Sequence, residues 1–300
     1  MKNKLKGTGV ALITPFKQDY SIDYESLGKI IEYVLYNQVD YLVVMGTTAE
    51  TPTLSWEEKL ELAAFARETV KGRVPLVYGI GGNNTSEVVA SIRKADMHGY
   101  DAILSVTPYY NKPQQEGLYK HFMAIAEASP MPVILYNVPG RTGVNMTAET
   151  TLNLARSNSK ICAIKEASGN LEQIAKIIKD KPQDFLVISG DDNLTLPILA
   201  IGGNGVISVV ANVLPASFST MVRWGLEEVF TEARKIHLAL FEFTQYLFAN
   251  GSPAGIKAAL ASLGMCEEVL RLPLVPVTPE LRSKIKQSLQ NILNKQKNTI

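Results

Sequence analysis

Cysteine and histidine are scarce in this chain, and neither sign of charge is in surplus. The two cysteines, Cys162 and Cys266, lie far apart in 300 residues. A disulfide framework is therefore not expected, and both thiols should be reduced and buried. The three histidines, His98, His121 and His237, are isolated from one another and from the cysteines. None shows the short spacing of a zinc site, so no metal is expected. Thirty basic residues against 29 acidic ones leave a formal charge of +1. That removes the electrostatic footprint of a nucleic-acid or anionic-membrane binder and favours a small-molecule partner. No apolar run reaches the ~18 residues of a membrane span. The opening MKNKLKGTG carries no apolar signal core, so a cytoplasmic location is expected.

What the chain has is apolar content, 46% against 20% charged, enough for a sizeable buried core and too much for disorder. Short Val- and Ile-rich runs recur: Gly9–Phe16, Tyr41–Gly46, Pro75–Gly81, Ala102–Pro108, Val133–Pro139, Ile161–Ala167, Phe185–Gly190 and Gly205–Val210. Stretches of helical periodicity separate them, among them Asp23–Gln38, Ser55–Val70, Thr85–Met97 and Gln115–Ala128. Continuous apolar strands alternating with helices indicate parallel strands joined by crossovers. Eight such units predict an α/β fold, a (β/α)8 TIM barrel over residues 1–226, where an open doubly wound sheet usually has fewer strands. Ser55 ahead of Glu58 fits a capping box, and Asp23 fits an N-cap. Residues 227–300 form the predicted C-terminal helical appendage, with helices near Glu227–Phe248, Pro253–Leu263 and Pro279–Asn294 and an extended connection over Leu272–Pro279. The lysines of the last helix, Lys284, Lys286, Lys295 and Lys297, read as a solvated face.

In a barrel of this kind chemistry sits at the C-terminal strand ends. Here those ends are polar: Gly46-Thr47-Thr48-Ala49-Glu50, Thr107-Pro108-Tyr109-Tyr110-Asn111, Tyr136-Asn137-Val138-Pro139-Gly140-Arg141 and Lys165-Glu166. Lys165 closes a buried apolar strand, where lost hydration favours the neutral, nucleophilic amine. Such an amine condenses with a carbonyl to an iminium, an electron sink for making or breaking carbon–carbon bonds. The competing reading is a lysine that leaves the core to pair with Glu166. Iminium formation needs a proton shuttle, and Tyr136 on the preceding strand, with the hydroxyls of Thr47 and Tyr110, could supply one. Each tyrosine taken alone also reads as a core or rim aromatic. Arg141 can hold a carboxylate through two parallel hydrogen bonds or form a surface salt bridge. Thr47 and Thr48 offer hydroxyls and backbone N–H groups to a second carboxylate. The Gly-rich pieces at Gly79–Asn84 and Gly202–Gly205 lack the nucleotide-binding patterns and read as turns.

The segments GTTAE, VTPYYNKPQQEGLY, YNVPGRTG, IKEASGN and GVISVVAN, in this order, closely resemble the dihydrodipicolinate synthase family of pyruvate-dependent class I aldolases and lyases. The likeness spans nearly the whole chain. It implies that Lys165 forms a Schiff base with pyruvate, and that Tyr136, Thr47 and Tyr110 form a proton relay in which Tyr110 reaches a neighbouring subunit's site. It further implies that Thr48 binds the pyruvate carboxylate, Arg141 binds that of L-aspartate 4-semialdehyde, and the main-chain carbonyl of Ile207 lines the pyruvate pocket. No added cofactor is implied, and the assembly implied is a homotetramer, a dimer of dimers. The rival readings are another pyruvate aldolase, such as N-acetylneuraminate lyase or a keto-sugar-acid aldolase, and a non-catalytic barrel that binds a keto acid.

The sequence departs from the family pattern at two places. Ala49 stands where the family usually has Gly, which matters if the position needs φ > 0. Regulated members bind lysine near positions matching Thr51, Trp56, Lys59, Asn83, Glu87 and Tyr109, and often carry histidines in place of Trp56 and Lys59. An extra ammonium there repels a cationic effector, so lysine inhibition is expected to be weak or absent.

Overall fold

The computed structural model describes residues 2–297. Eight parallel strands close into a barrel in chain order: β1 (Gly7–Ala11), β2 (Tyr41–Val44), β3 (Leu76–Gly79), β4 (Ala102–Val106), β5 (Val133–Asn137), β6 (Ile161–Glu166), β7 (Leu186–Ser189) and β8 (Gly205–Ser208). Closure is made by β1 against β8, Gly7 opposite Gly205 through Val10 opposite Ser208. Each strand leaves the ladder a few residues before its apolar run ends. After β1 the remainder of the run, Leu12–Phe16, is buried in the loops of the C-terminal face, whereas after β3 Ile80 is half-buried and Gly81 exposed.

The layer outside the barrel is α1 (Tyr24–Tyr36), α2 (Trp56–Val70), α3 (Thr85–Lys94), α4 (Gln115–Ala128), the single turn α5 (Pro139–Thr142), α6 (Ala148–Ser157), α7 (Leu171–Asp180), α8 (Thr195–Ala200) and α9 (Pro215–Leu226). Local chemistry starts these helices as expected. The Asp23 side chain accepts from the Ser26 N–H, and Ser55 and Glu58 form a reciprocal capping box. Two helix boundaries need correction. α3 stops at Lys94 instead of Met97, because Asp96 turns to accept from the His98 N–H and from Arg67. The helix expected from Glu227 starts as α10 only at Phe230, because Glu227 caps α9 and Glu228 adopts a left-handed φ of 62°.

After α10 (Phe230–Phe248) come α11 (Ala254–Ser262) and α12 (Pro279–Lys297). α10 packs along α9, and α12 lies across α10 and α11. On α12, Leu281, Ile285, Leu289 and Ile292 face inward while Lys284, Lys286 and Lys295 are exposed; the side chain of Lys297 lies outside the described residues. Apolar residues of α10 to α12, such as Phe243, Leu260 and Ile285, share one continuous cluster with the outer faces of the strands. A second cluster fills the barrel, built from Tyr41, Val43, Leu104, Ile134, Tyr136, Ala163, Ile188 and Ile207 among others. Tyr41 fits inside because Gly9 faces it: a Cβ on Gly9 would lie 2.2 Å from the phenol ring. No disulfide joins the cysteines. Cys162 is buried as expected, but Cys266, in the turn beyond α11, is only partly buried.

Candidate active site

Lys165 and Tyr136 are register partners on β6 and β5. Side chains alternate along a strand, and both of these point into the top of the barrel, each 6% exposed. The Lys165 Nζ lies 4.2 Å from the centre of the Tyr136 ring. Among the described residues no acid pairs with Lys165. The Glu166 carboxylate instead accepts from the side-chain amides of Asn137 and Gln173 and from the Ser168 N–H. This removes the reading of Lys165 as an ion-pair partner of Glu166. Gly190, beyond the end of β7, makes room for the amine's stem: a Cβ there would stand 3.1 Å from Lys165 Cγ and Cε and 2.8 Å from the Ala167 Cβ.

Tyr136 lines a cavity of about 370 Å³ together with Thr47, Arg141, Thr51, Lys59, Tyr109 and apolar side chains of β2 to β5 and their loops, and Lys165 sits behind the Tyr136 ring without lining the cavity itself. The cavity carries two cationic side chains and no acidic one. Arg141 sits in α5, started by Pro139 and ended by Gly143 at φ 71°. Its guanidinium makes one long hydrogen bond, 3.4 Å to the Ser252 carbonyl, and no salt bridge among the described residues, so the surface-pair reading of Arg141 does not hold. Burial pulls the Lys59 ammonium below the usual lysine range.

The turn after β2 is tightly tied. Thr47–Ala49 form a 3₁₀ turn with Thr48 buried and Thr47 facing the cavity. Ala49 does not have positive φ; the left-handed residues of this turn are Met45, at φ 59°, and Glu50, at φ 54°. The exchange of Gly for Ala therefore carries no backbone strain. Ala49 donates to the Gly46 carbonyl at 3.1 Å, and its own carbonyl accepts from Thr14 Oγ1 at 2.8 Å.

Not every expected residue gathers here. Tyr110 is 90% exposed, at a left-handed φ of 72°, and lies outside the cavity of its own chain. Thr48 and Ile207 are buried beside the cavity and do not line it. Of the six residues expected to answer lysine, Thr51, Lys59 and Tyr109 line the cavity. Asn83 donates to the Tyr109 carbonyl, Glu87 is held by Asn84, and Trp56 lies 4.9 Å from the Lys94 ammonium. Among the described residues no three His, Cys, Asp or Glu side chains gather in a way that could hold a metal ion.

The chain matches the Dihydrodipicolinate synthetase family over residues 4–292. It belongs to that family. A relative, the 4-hydroxy-tetrahydrodipicolinate synthase of Parabacteroides distasonis, is 54% identical over 288 residues, covering 96% of this chain and 97% of its own length. The crystal structure of dihydrodipicolinate synthase from Aquifex aeolicus superposes with a TM-score of 0.93 at 43% identity, covering 96% of this chain and 98% of that one. A structure of the Cyanidioschyzon merolae enzyme with lysine bound superposes with a TM-score of 0.93 at 40% identity, with coverage of 96% and 98%. Against this family background, three groups stand beside the site that the sequence reading did not single out: Gly190, the Asn137–Glu166 pair and Glu50. Asn137, Glu166 and Glu50 lay inside the quoted strand-end motifs, but nothing local revealed which partners they would meet.

Proposed function

We propose that this chain condenses pyruvate with L-aspartate 4-semialdehyde to give 4-hydroxy-tetrahydrodipicolinate, on the route to diaminopimelate and lysine, acting in the cytoplasm as a homotetramer assembled from dimers. The single observation that carries the reading is Lys165: a buried amine at the mouth of the barrel, with a phenol against it and no acid to pair with it. Its Nζ attacks the keto carbon of pyruvate, the carbinolamine loses water, and a base removes a proton from the methyl group while its electron pair flows into the iminium to leave an enamine. Tyr136, against the amine, suits the passage of those protons, with Thr47 also lining the cavity. The enamine carbon then attacks the aldehyde of the second substrate. That substrate's own amine displaces Lys165 from the imine carbon, which closes the ring and frees the enzyme.

Arg141, without an acidic partner and on the cavity rim, suits the carboxylate of the semialdehyde. A buried Thr48 suits the pyruvate carboxylate, and the Ile207 carbonyl suits the floor of the same pocket. Tyr110 projects away from its own cavity, which fits a phenol supplied to a neighbouring subunit and makes the dimer the catalytic unit.

The test is borohydride reduction in the presence of pyruvate, followed by peptide mass mapping. A reduced pyruvyl adduct on the Lys165 peptide is expected, and product should form with aspartate semialdehyde and not with N-acetylmannosamine. No adduct would point to a keto-acid-binding barrel, and turnover with the amino sugar would point to a sialic-acid lyase.

A further inference from the structure

The Glu50 side chain is buried at the edge of the site, 1% exposed, with the fully buried Lys257 of α11 as its partner. Their charged ends are 2.5 Å apart, off the hydrogen-bonding direction, so the contact is an ion pair. Lys257 also donates to the Val269 carbonyl at 2.8 Å, and the other Glu50 oxygen accepts from the Arg271 N–H at 3.0 Å. Phe16 lies under both cations, 4.2 Å from the Lys257 ammonium and 4.4 Å from the Arg271 guanidinium. The Arg271 guanidinium continues outward to the Thr53 carbonyl, the Tyr20 carbonyl and the Glu58 carboxylate. The C-terminal helical region thus grips the left-handed residue that closes the turn carrying Thr47 and Thr48.

A pair this deeply buried is a poor source of stability, because desolvating two ions offsets much of their attraction, and well-packed apolar replacements are often as stable. Burial in fact presses the Lys257 ammonium below the usual lysine range, against the opposing pull of Glu50. What the pair supplies is position. The Glu50 backbone N–H donates to the Thr47 carbonyl at 3.1 Å, and its carbonyl accepts from the Thr53 N–H at 2.8 Å. Displacing Glu50 therefore rotates the whole turn.

We propose that Glu50 is the positioning residue that aims the Thr47–Thr48 turn at the reacting keto acid, and that Lys257, through the C-terminal helices, locks it there. This rests on the proposed aldol chemistry, so the experiment reads pyruvate capture directly. Wild type, E50D, E50Q, K257M and E50Q/K257M are compared by rate of borohydride-trapped adduct, pyruvate KM, kcat and melting temperature. E50D keeps the charge and tolerates left-handed backbone, but its carboxylate is one carbon short. It should keep a melting temperature near wild type while adduct formation slows about tenfold or more and pyruvate KM rises, as expected when a group is displaced by about 1 Å. The single variants E50Q and K257M should melt lower; the double variant should recover the melting temperature and remain slow. Wild-type capture rate and KM in E50D, or recovery of both rate and melting temperature in the double variant, would overturn the proposal. If the double variant does not fold, E50D decides alone. Absence of an adduct in wild type would instead strike at the aldol chemistry itself.

Discussion

The Asn137 amide donates to both carboxylate oxygens of Glu166, at 3.1 and 3.2 Å. These two residues directly follow Tyr136 and Lys165, and by strand alternation they point out of the barrel while the phenol and the amine point in. The hydrogen bonds therefore act as a rivet between β5 and β6 on the outer side of the wall, and Gln173 and the Ser168 N–H complete it. Burial raises the Glu166 pKa above the ordinary carboxylate value, opposed by these donors.

Asn137→Ala should cost about 2–4 kcal/mol of stability, since a buried carboxylate loses one of its three donor groups and the Met146 N–H loses its acceptor. The same variant should slow pyruvate capture, because the two strands that carry Lys165 and Tyr136 lose their cross-link. Chemical denaturation and single-turnover trapping measure the two effects separately. Normal trapping in a destabilised variant would mean that the rivet serves stability alone.

Gly190→Ala should slow adduct formation by roughly 10- to 100-fold, as a methyl group pressed on the Lys165 stem tilts the amine away from its line of attack. The nearest atoms are 2.8 Å and 3.1 Å away, and the flexible lysine stem yields more readily than the strand. The pyruvate concentration dependence of trapping checks this, and a variant as fast as wild type would sink it.

Two buried groups set opposite pH slopes. Burial pulls His121 from 6.5 to about 4, so the stability it gives is present above pH 6.5 and lost as pH falls toward 4. Burial raises Asp192 from 3.8 to about 6, so its contribution is present below 3.8 and lost as pH rises through 6. Between pH 4 and 6 the two oppose each other, and each is worth on the order of 3 kcal/mol across its full window. The contributions of these two groups should largely cancel in that interval. His121→Gln should make stability fall with rising pH, and Asp192→Asn should make it climb. Denaturation midpoints at several pH values test the signs, and parallel slopes for the two variants would refute them.

Lysine at submillimolar concentration should leave turnover almost untouched, because Lys59 already places an ammonium in the cavity wall beside Thr51 and Tyr109. Lys59→His should increase sensitivity. Strong inhibition of the wild type, or no gain in the variant, would count against this account.

Much of the site was legible because it follows from short-range rules. Continuous Val- and Ile-rich runs marked the strands, and the polar residues just beyond them marked the face that carries the candidate site; Lys165, Tyr136, Thr47 and Arg141 were singled out in this way. The limits were also local. The apolar runs outlast their strands because loops over the barrel mouth are themselves buried, as Leu12–Phe16 illustrates. Ala49 drew attention as a possible strained position, while the backbone placed a left-handed residue one step later, at Glu50.

The amino-acid order alone determined the alternation of strands and helices, their starting caps and the polar character of the strand ends, since each depends on neighbours within a turn or two of chain. Only the tertiary fold decided which of those ends meet. It set Lys165 against Tyr136, turned Tyr110 away from its own cavity, and brought the Lys257 ammonium, with the Arg271 backbone N–H from 221 positions away, to Glu50. A carboxylate in a buried turn takes whichever cation the fold delivers to it, and no local pattern carries that information.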